Sequence, residues 1–208
     1  MRPLRIDEIV PLDRYGLLRD AYRERVIAYK RTRRVALGER ATLLFEDRET
    51  LRFQVQEMLW AERITEPAKV QAEIDVYNEL MPGAEELSAT LFLEIVESSE
   101  IRPTLERLVG LDRHLQLVLG EGEGETLFHA DFDRRQFEDQ RISAVQYLRF
   151  PLGADGSRRF ADSALRARLR VDHPHYRREE EVPPAVREAL VASLAREPAV
   201  LLRPQDRA

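Results

Sequence analysis

Cysteine is absent from this chain of 208 residues. That excludes disulfides, thiolate zinc sites, cysteine-ligated iron–sulfur clusters and a cysteine nucleophile within the chain. Histidine is scarce, at His114, His129, His173 and His175, so a transition metal would have to be held by imidazole and carboxylate groups. Lysine stands at Lys30 and Lys69 only, and every other basic residue is arginine. No run approaches the roughly 18 apolar residues that span a bilayer. The opening MRPLRIDEIV lacks the apolar stretch of a secretory signal, so a cytoplasmic location is expected. Neither G-x-S-x-G nor H-E-x-x-H occurs, which argues against a serine triad and a zincin site. The glycine-rich GEGEG stretch is acidic and lacks the spacing of a phosphate loop.

What remains is an ordinary globular composition, 43% hydrophobic and 34% charged. It is expected to fold as one unit over residues 1–208, helix-rich over 1–83 and sheet-rich over 84–200. The net charge of -5 disfavours nucleic acid as a partner. The charge is segregated. Residues 1–37 carry ten Lys and Arg against five Asp and Glu, a balance of +5. Residues 85–140 carry five against fourteen, a balance of -9. Such a split can orient a partner or drive self-association into a homo-oligomer.

Periodicity places a first helix over residues 13–36, with Leu18, Tyr22, Val26 and Tyr29 as its apolar stripe and Gly38 as its stop. A strand follows at Ala41–Glu46, then a helix capped by Asp47 and running to about Ile64. Pro67 opens a third helix, to about Leu80. Ser88–Val96 alternates as a strand, and Pro103 opens a short helix closed near Gly110. His114–Leu119 and Glu125–Ala130 read as a hairpin through GEGEG, and residues 131–140 as a helical turn or loop. Ser143–Leu152 and Ala164–Asp172 are strands, the latter with Arg166, Arg168 and Arg170 on its polar face. Pro183 and Pro184 open a last helix, and the tail after Pro198 is expected to fray. The sum is an α+β fold, with N-terminal helices packed on a mainly antiparallel sheet and a C-terminal helix.

Three constellations could carry chemistry. The second helix places Gln54, Glu57 and Glu62 among apolar residues, which suggests a buried polar network. Glu57 and Glu62 are five residues apart, about 140° around the helix, so they do not share one site. His129 and His173 share the parity assigned to inward residues of their strands. With Glu57, Asp131 or Asp172 as a third ligand they form a candidate metal site, although no metal-ligand spacing matches. Lys30, Arg31, Arg33 and Arg34 at the first helix end suit a helix C-terminus, and alternatively an anion or an acidic partner.

The motif V-x-x-x-K-x-x-R-R-V-x-L-G from Val26, then T-L-L-F-E-x-R-x-T from Thr42 and Q-x-Q-E-M-L-x-x-E-R-I from Gln54, resembles an uncharacterised bacterial family of unknown function. The likeness continues through Asp75, Tyr77 and Asn78, Ala89-Thr90-Leu91, Ser143-Ala144-Val145, Leu148-Arg149-Phe150, Asp172-His173-Pro174-x-Tyr176 and Val182-Pro183-Pro184. In that family the genes often lie beside those for rubrerythrin and a cysteine-rich iron–sulfur oxidoreductase. The resemblance therefore implies a non-catalytic accessory of a redox or oxidative-stress system, with a rubrerythrin-like or iron–sulfur protein as partner. It carries no catalytic residue. A metal-dependent enzyme or metal-binding protein, and an anion or small-ligand-binding domain, stand as alternatives.

Overall fold

A computed structural model describes residues 1–134, 137, 138, 141–195, 201 and 202. The fold is α+β. Helix α1 spans Leu12–Arg31, and strands β1 at Arg34–Ala36 and β2 at Ala41–Glu46 follow as a hairpin. The first helix therefore ends five residues earlier than its periodicity suggests. Pairing of Val35 with Leu43 buries Val35 and Leu37, which a continuing helix would leave unpaired with the sheet. Gly38 turns this hairpin at φ +69 instead of ending the helix.

Helix α2 covers Arg48–Glu62 and α3 covers Pro67–Asn78. Strand β3 is Glu86–Leu93, and α4 is Ser98–Arg107 with Pro103 inside it rather than opening it. Pro103 removes one backbone donor from the ladder. Its neighbours up to Arg102 are exposed, so the freed carbonyl is open to solvent. Strands β4 (Leu115–Leu119) and β5 (Thr126–His129) form the expected hairpin. Residues 131–140 are not helical where described: β6 is Asp131–Phe132 and β7 is Phe137–Glu138, while 135, 136, 139 and 140 lie outside the described residues. Strands β8 (Arg141–Ile142) and β9 (Val145–Pro151), helix α5 (Gly153–Ala161), strands β10 (Ala167–His173) and β11 (Tyr176–Glu181), and helix α6 (Pro184–Leu194) complete the chain. Helix α5, nine residues long, and strand β11, mostly charged, are absent from the sequence-based reading.

The strands form two main sheets instead of one. The first has order β1-β2-β3-β9-β6 and the second β11-β10-β4-β5, and every pairing is antiparallel. One apolar core joins them: Leu43, Phe45, Ala89, Leu91, Leu148 and Phe150 from the first meet Leu115, Leu117, Leu169 and Val171 from the second. The helix-rich and sheet-rich division near residue 84 thus runs through the first sheet, because β1 and β2 pair with β3.

The outer face of the second sheet explains both the arginine stripe and the acidic turn. Arg166 pairs with Glu121 and Glu181, and Arg168 and Arg170 both pair with Glu125 and Glu179. The guanidinium groups are thus neutralised by β11 and by the two ends of the GEGEG turn. Arg187 donates to the carbonyls of Phe160 at 2.8 Å, Leu165 at 2.5 Å and Asp162 at 2.6 Å, closing the C-terminal end of α5.

Asp47 ends β2 and starts α2. Its Oδ1 accepts the backbone N–H groups of Glu49 and Thr50, each at 3.0 Å, while Thr50 Oγ1 accepts the N–H of Asp47 at 2.9 Å. Its Oδ2 lies 2.9 Å from Arg33 Nη2, with both side chains 4% exposed. Arg33 also donates to Ser193 of α6 at 2.9 Å. Nearby, Arg52 and Glu49 form a second buried pair at 2.5 Å. Glu49 Oε2 accepts the N–H of Leu201 at 3.1 Å, and Leu202 is fully buried with Tyr15, Tyr22 and Val26. The tail is therefore docked at these two residues and not frayed, because a buried carboxylate and an apolar pocket both need covering. Residues 198–200 and 203–208 lie outside the described set. Replacing Asp47 by Ala strips the cap and leaves a buried unpaired arginine, at an expected cost of about 3–5 kcal/mol. Asp47→Asn keeps the capping acceptor and should lose less. Urea unfolding midpoints check both, and a shift below about 1 kcal/mol in Asp47→Ala would contradict the role assigned to the pair.

Candidate functional site

Register divides the first sheet into an apolar and a polar face. Leu43, Phe45, Ala89, Leu91, Leu148 and Phe150 point into the shared core. The alternate residues form rows across the other face: Leu44, Thr90 and Tyr147, then Glu46, Ser88, Arg149 and Asp131. Helices α1 to α3 lie over this face. Gln54 of α2 reaches Glu46, while Ser88 and Arg149 donate to the carbonyls of Leu80 and Glu79 just beyond α3.

Glu46 is the most unusual group there. It is 3% exposed. Its Oε1 accepts Gln54 Nε2 at 3.0 Å and Thr90 Oγ1 at 2.7 Å. Its Oε2 is buried and has no hydrogen-bond donor. An oxygen in that state carries an uncompensated desolvation cost. The ammonium of Lys30 faces the Phe53 ring at 5.3 Å instead of pairing with it. Burial lowers the Lys30 pKa against the attraction of Glu46 and Asp47. Burial raises the Tyr77 phenol to about 12, helped by Tyr147, Glu73 and Glu46. Burial also raises Tyr147, with Glu46 and Asp133 adding to it. Both tyrosines therefore stay protonated near neutral pH. Beside this row is a cavity of about 250 Å³, lined by Glu79, Leu80, Ser88, Asp131, Phe132, Asp133, Tyr147, Leu148 and Arg149. Its Ser88 is the cross-strand neighbour of Glu46.

Sequence reasoning did not single out Glu46. The available signal was a glutamate closing an otherwise apolar strand, in register with Leu44 and one residue before a helix cap. The three acids and amides grouped as one buried network separate. Gln54 belongs to the Glu46 site. Glu57 is half-buried at the surface of α2, held by Tyr15 at 2.6 Å and by Arg19 at 2.8 and 2.7 Å, and Glu62 is exposed. The basic cluster separates too. Arg33 is consumed internally, Lys30 is half-buried, and Arg31 and Arg34 are exposed.

The candidate metal residues do not meet. His129 pairs across β4 with the Gln116 that pairs with Arg170, which puts it on the outer face of the second sheet. His173 continues the inward row of Leu169 and Val171 and is 4% exposed. The misassignment came from Leu127, taken as inward; it is 43% exposed, and Phe128 packs on the core instead. Glu57 lies on α2, Asp131 at the sheet edge, and Asp172 is an exposed partner of Arg177 at 3.1 Å. Among the described residues no group of three or more His, Asp or Glu is placed to hold a metal ion.

His173 instead joins His114 and His175, with ring centroids 5.2 and 5.8 Å away. Its Nδ1 accepts the backbone N–H of His175 at 3.3 Å, so Nε2 carries the proton and donates to the Val109 carbonyl at 3.1 Å. Both ring nitrogens are occupied. Burial lowers its pKa below the ordinary 6.5, with His114 and His175 adding to the effect against the Val109 bond. The unfolded chain thus takes up the extra proton first, and the contribution of His173 is present above the unfolded pKa and lost as pH falls from there through the lowered folded pKa. The stability difference between parent and His173→Gln should therefore shrink from about pH 7 to about pH 5 in urea titrations. A difference constant across that window counts against a neutral buried ring.

A family model described as "Protein of unknown function (DUF3501)" matches residues 3–194. The chain is also similar to a crystal structure of a novel protein of unknown function from Burkholderia pseudomallei K96243, with 33% identity and a TM-score of 0.85. That likeness covers 93% of this chain and 100% of the other. No curated protein matches.

Proposed function

From the premise that the chain belongs to the DUF3501 family of proteins of unknown function, we propose that it is a non-catalytic binding protein for a small polar ligand, held on the polar face of the first sheet. One observation carries this reading: the buried, donorless Oε2 of Glu46. A folded chain keeps such a group at a cost to stability, and binding sites are where that cost has a return. A cleft of about 250 Å³ opens at Ser88, the cross-strand neighbour of Glu46. Gln54 and Thr90 hold one carboxyl oxygen and leave the other without a donor. This keeps the ligand-binding alternative but moves it from the cluster Lys30, Arg31, Arg33 and Arg34 to Glu46.

The reading has a signature without any ligand in hand. In the isolated chain Glu46→Gln preserves the acceptor for Gln54 and Thr90 and removes a charge. Its thermal and urea midpoints should equal those of the parent or rise, by up to about 1 kcal/mol. A loss beyond about 2 kcal/mol would assign Glu46 to the framework and overturn the site.

A second reading is the accessory role in a bacterial cytoplasmic redox system that the family resemblance implies, with a rubrerythrin-like or iron–sulfur protein as partner. A surface ahead of and within α4 favours it. Val96 is 92% exposed and Ile101 40% exposed, between the exposed acids Glu94, Glu97 and Glu100. An apolar contact with more acids than bases around it, Arg102 and the Glu100 partner Arg107 included, suits a partner with a basic face. Val96→Arg and Glu97→Lys should each weaken capture of a purified rubrerythrin-like protein without changing the unfolding midpoint. Equal capture by both variants removes this surface from the reading, and a mass above one chain in the protein alone would point to self-association instead.

A further inference from the structure

We propose that a second copy of this chain pairs with the open edge of strand β11, antiparallel to it and about a two-fold axis at Glu179. Strand β11 is an outer strand of the second sheet, and among the described residues no strand lies against its far side. It has six residues, whereas the other outer strands, β1, β5 and β6, have three, four and two. Its ladder has a fixed parity. The Val182 N–H donates to the Ala167 carbonyl at 2.9 Å, so the even-numbered residues Tyr176, Arg178 and Glu180 bond to β10. The N–H and C=O groups of Arg177, Glu179 and Glu181 therefore point away from the sheet. The Arg177 carbonyl accepts the guanidinium of its own neighbour Arg178 at 2.7 Å, as an acceptor unused by the ladder does. A row of unpaired edge groups is a template for another strand.

Charge selects the occupant. Pairing the outward groups about Glu179 sets Arg177 opposite the second copy's Glu181 on the outer face. It sets Arg178 opposite the second copy's Glu180 on the inner face, and the two-fold axis repeats both pairs. Within one chain Arg177 already pairs with Asp172, Glu179 with Arg168 and Arg170, and Glu181 with Arg166. Arg178 and Glu180 have no ion pair among the described residues, and they are the two that this register brings together. The Arg177–Asp172 and Arg166–Glu181 side chains are at least half exposed, so those pairs hold little energy and can be shared. Glu179 meets Glu179 at the axis, each neutralised by the arginines of its own sheet. A protected edge carries like charges or a proline within it. Here the two signs stand in separate blocks, Arg177 and Arg178 before Glu179, Glu180 and Glu181, and the prolines lie outside, at Pro174 and Pro183. Those prolines bound the overlap, and the four-stranded sheet continues unbroken into its copy.

The test is the mass of the full chain by sedimentation equilibrium, up to about 100 μM. The parent should reach the mass of two chains. Arg178→Glu and Glu180→Arg should each weaken the dimer about tenfold or more, since each sets like charges opposite one another twice. The double variant Arg178→Glu with Glu180→Arg should restore it, because the swap rebuilds both pairs. Glu179→Pro removes an N–H that bonds nothing within the chain, so it should unfold cooperatively and remain one chain. A parent of one chain at the highest concentration overturns the inference. So do a Glu179→Pro dimer, single charge variants as dimeric as the parent, or a folded double variant that stays monomeric. Val96→Arg should keep the parent's mass. A monomer from that variant alone would place the second copy on α4 and overturn the pairing through β11.

Discussion

The carboxylate of Asp47 is the constraint on which most of this structure depends. One oxygen caps α2, and the other neutralises Arg33 between the end of α1 and the start of β1. Through Arg33 the same group reaches Ser193 on α6. Five elements meet at one buried ion pair, and each loses a partner if it breaks. Arg33 Nε and Nη1 remain without acceptors, so the pair holds position at some cost in stability. Its consequence for function is local. Because Asp47 locks the strand-to-helix turn, Glu46 just before it is held on the polar face with no freedom to swing to water.

The two faces of the first sheet divide the labour. The apolar face builds the core shared with the second sheet, whose own outer face is closed by alternating arginine and glutamate. The polar face is buried by helices that do not fully satisfy it. Glu46 Oε2 is what those helices leave over. A chain that satisfies Asp47, Glu49 and Glu57 with arginines had the means to satisfy Glu46 as well. Its failure to do so is the physical basis for reading a binding site there.

Much of the local structure was legible along the chain. Strand β2, the Asp47 cap, the proline-opened α3 and α6 and the β4–β5 hairpin follow from periodicity, capping chemistry and turn residues acting over a few positions. Errors arose where a distant partner decides. Residues 34–36 are helical by pattern and a strand by pairing with β2. His129 was read from Leu127, a leucine that is 43% exposed. The tail ends in Leu202 because a pocket on α1 is open to it.

Taken alone, the sequence determined the α+β class, the absence of thiol chemistry, the capped second helix and the segregated charge, since each rests on residue types and spacings within one segment. Only the tertiary structure decided that two sheets form, that the arginine stripe meets glutamates from β11 and the GEGEG turn, and that His129 and His173 face apart. It alone shows Glu46 buried with one oxygen unpartnered. Burial and hydrogen-bond satisfaction belong to pairs of residues far apart in the chain, and no single segment carries that information.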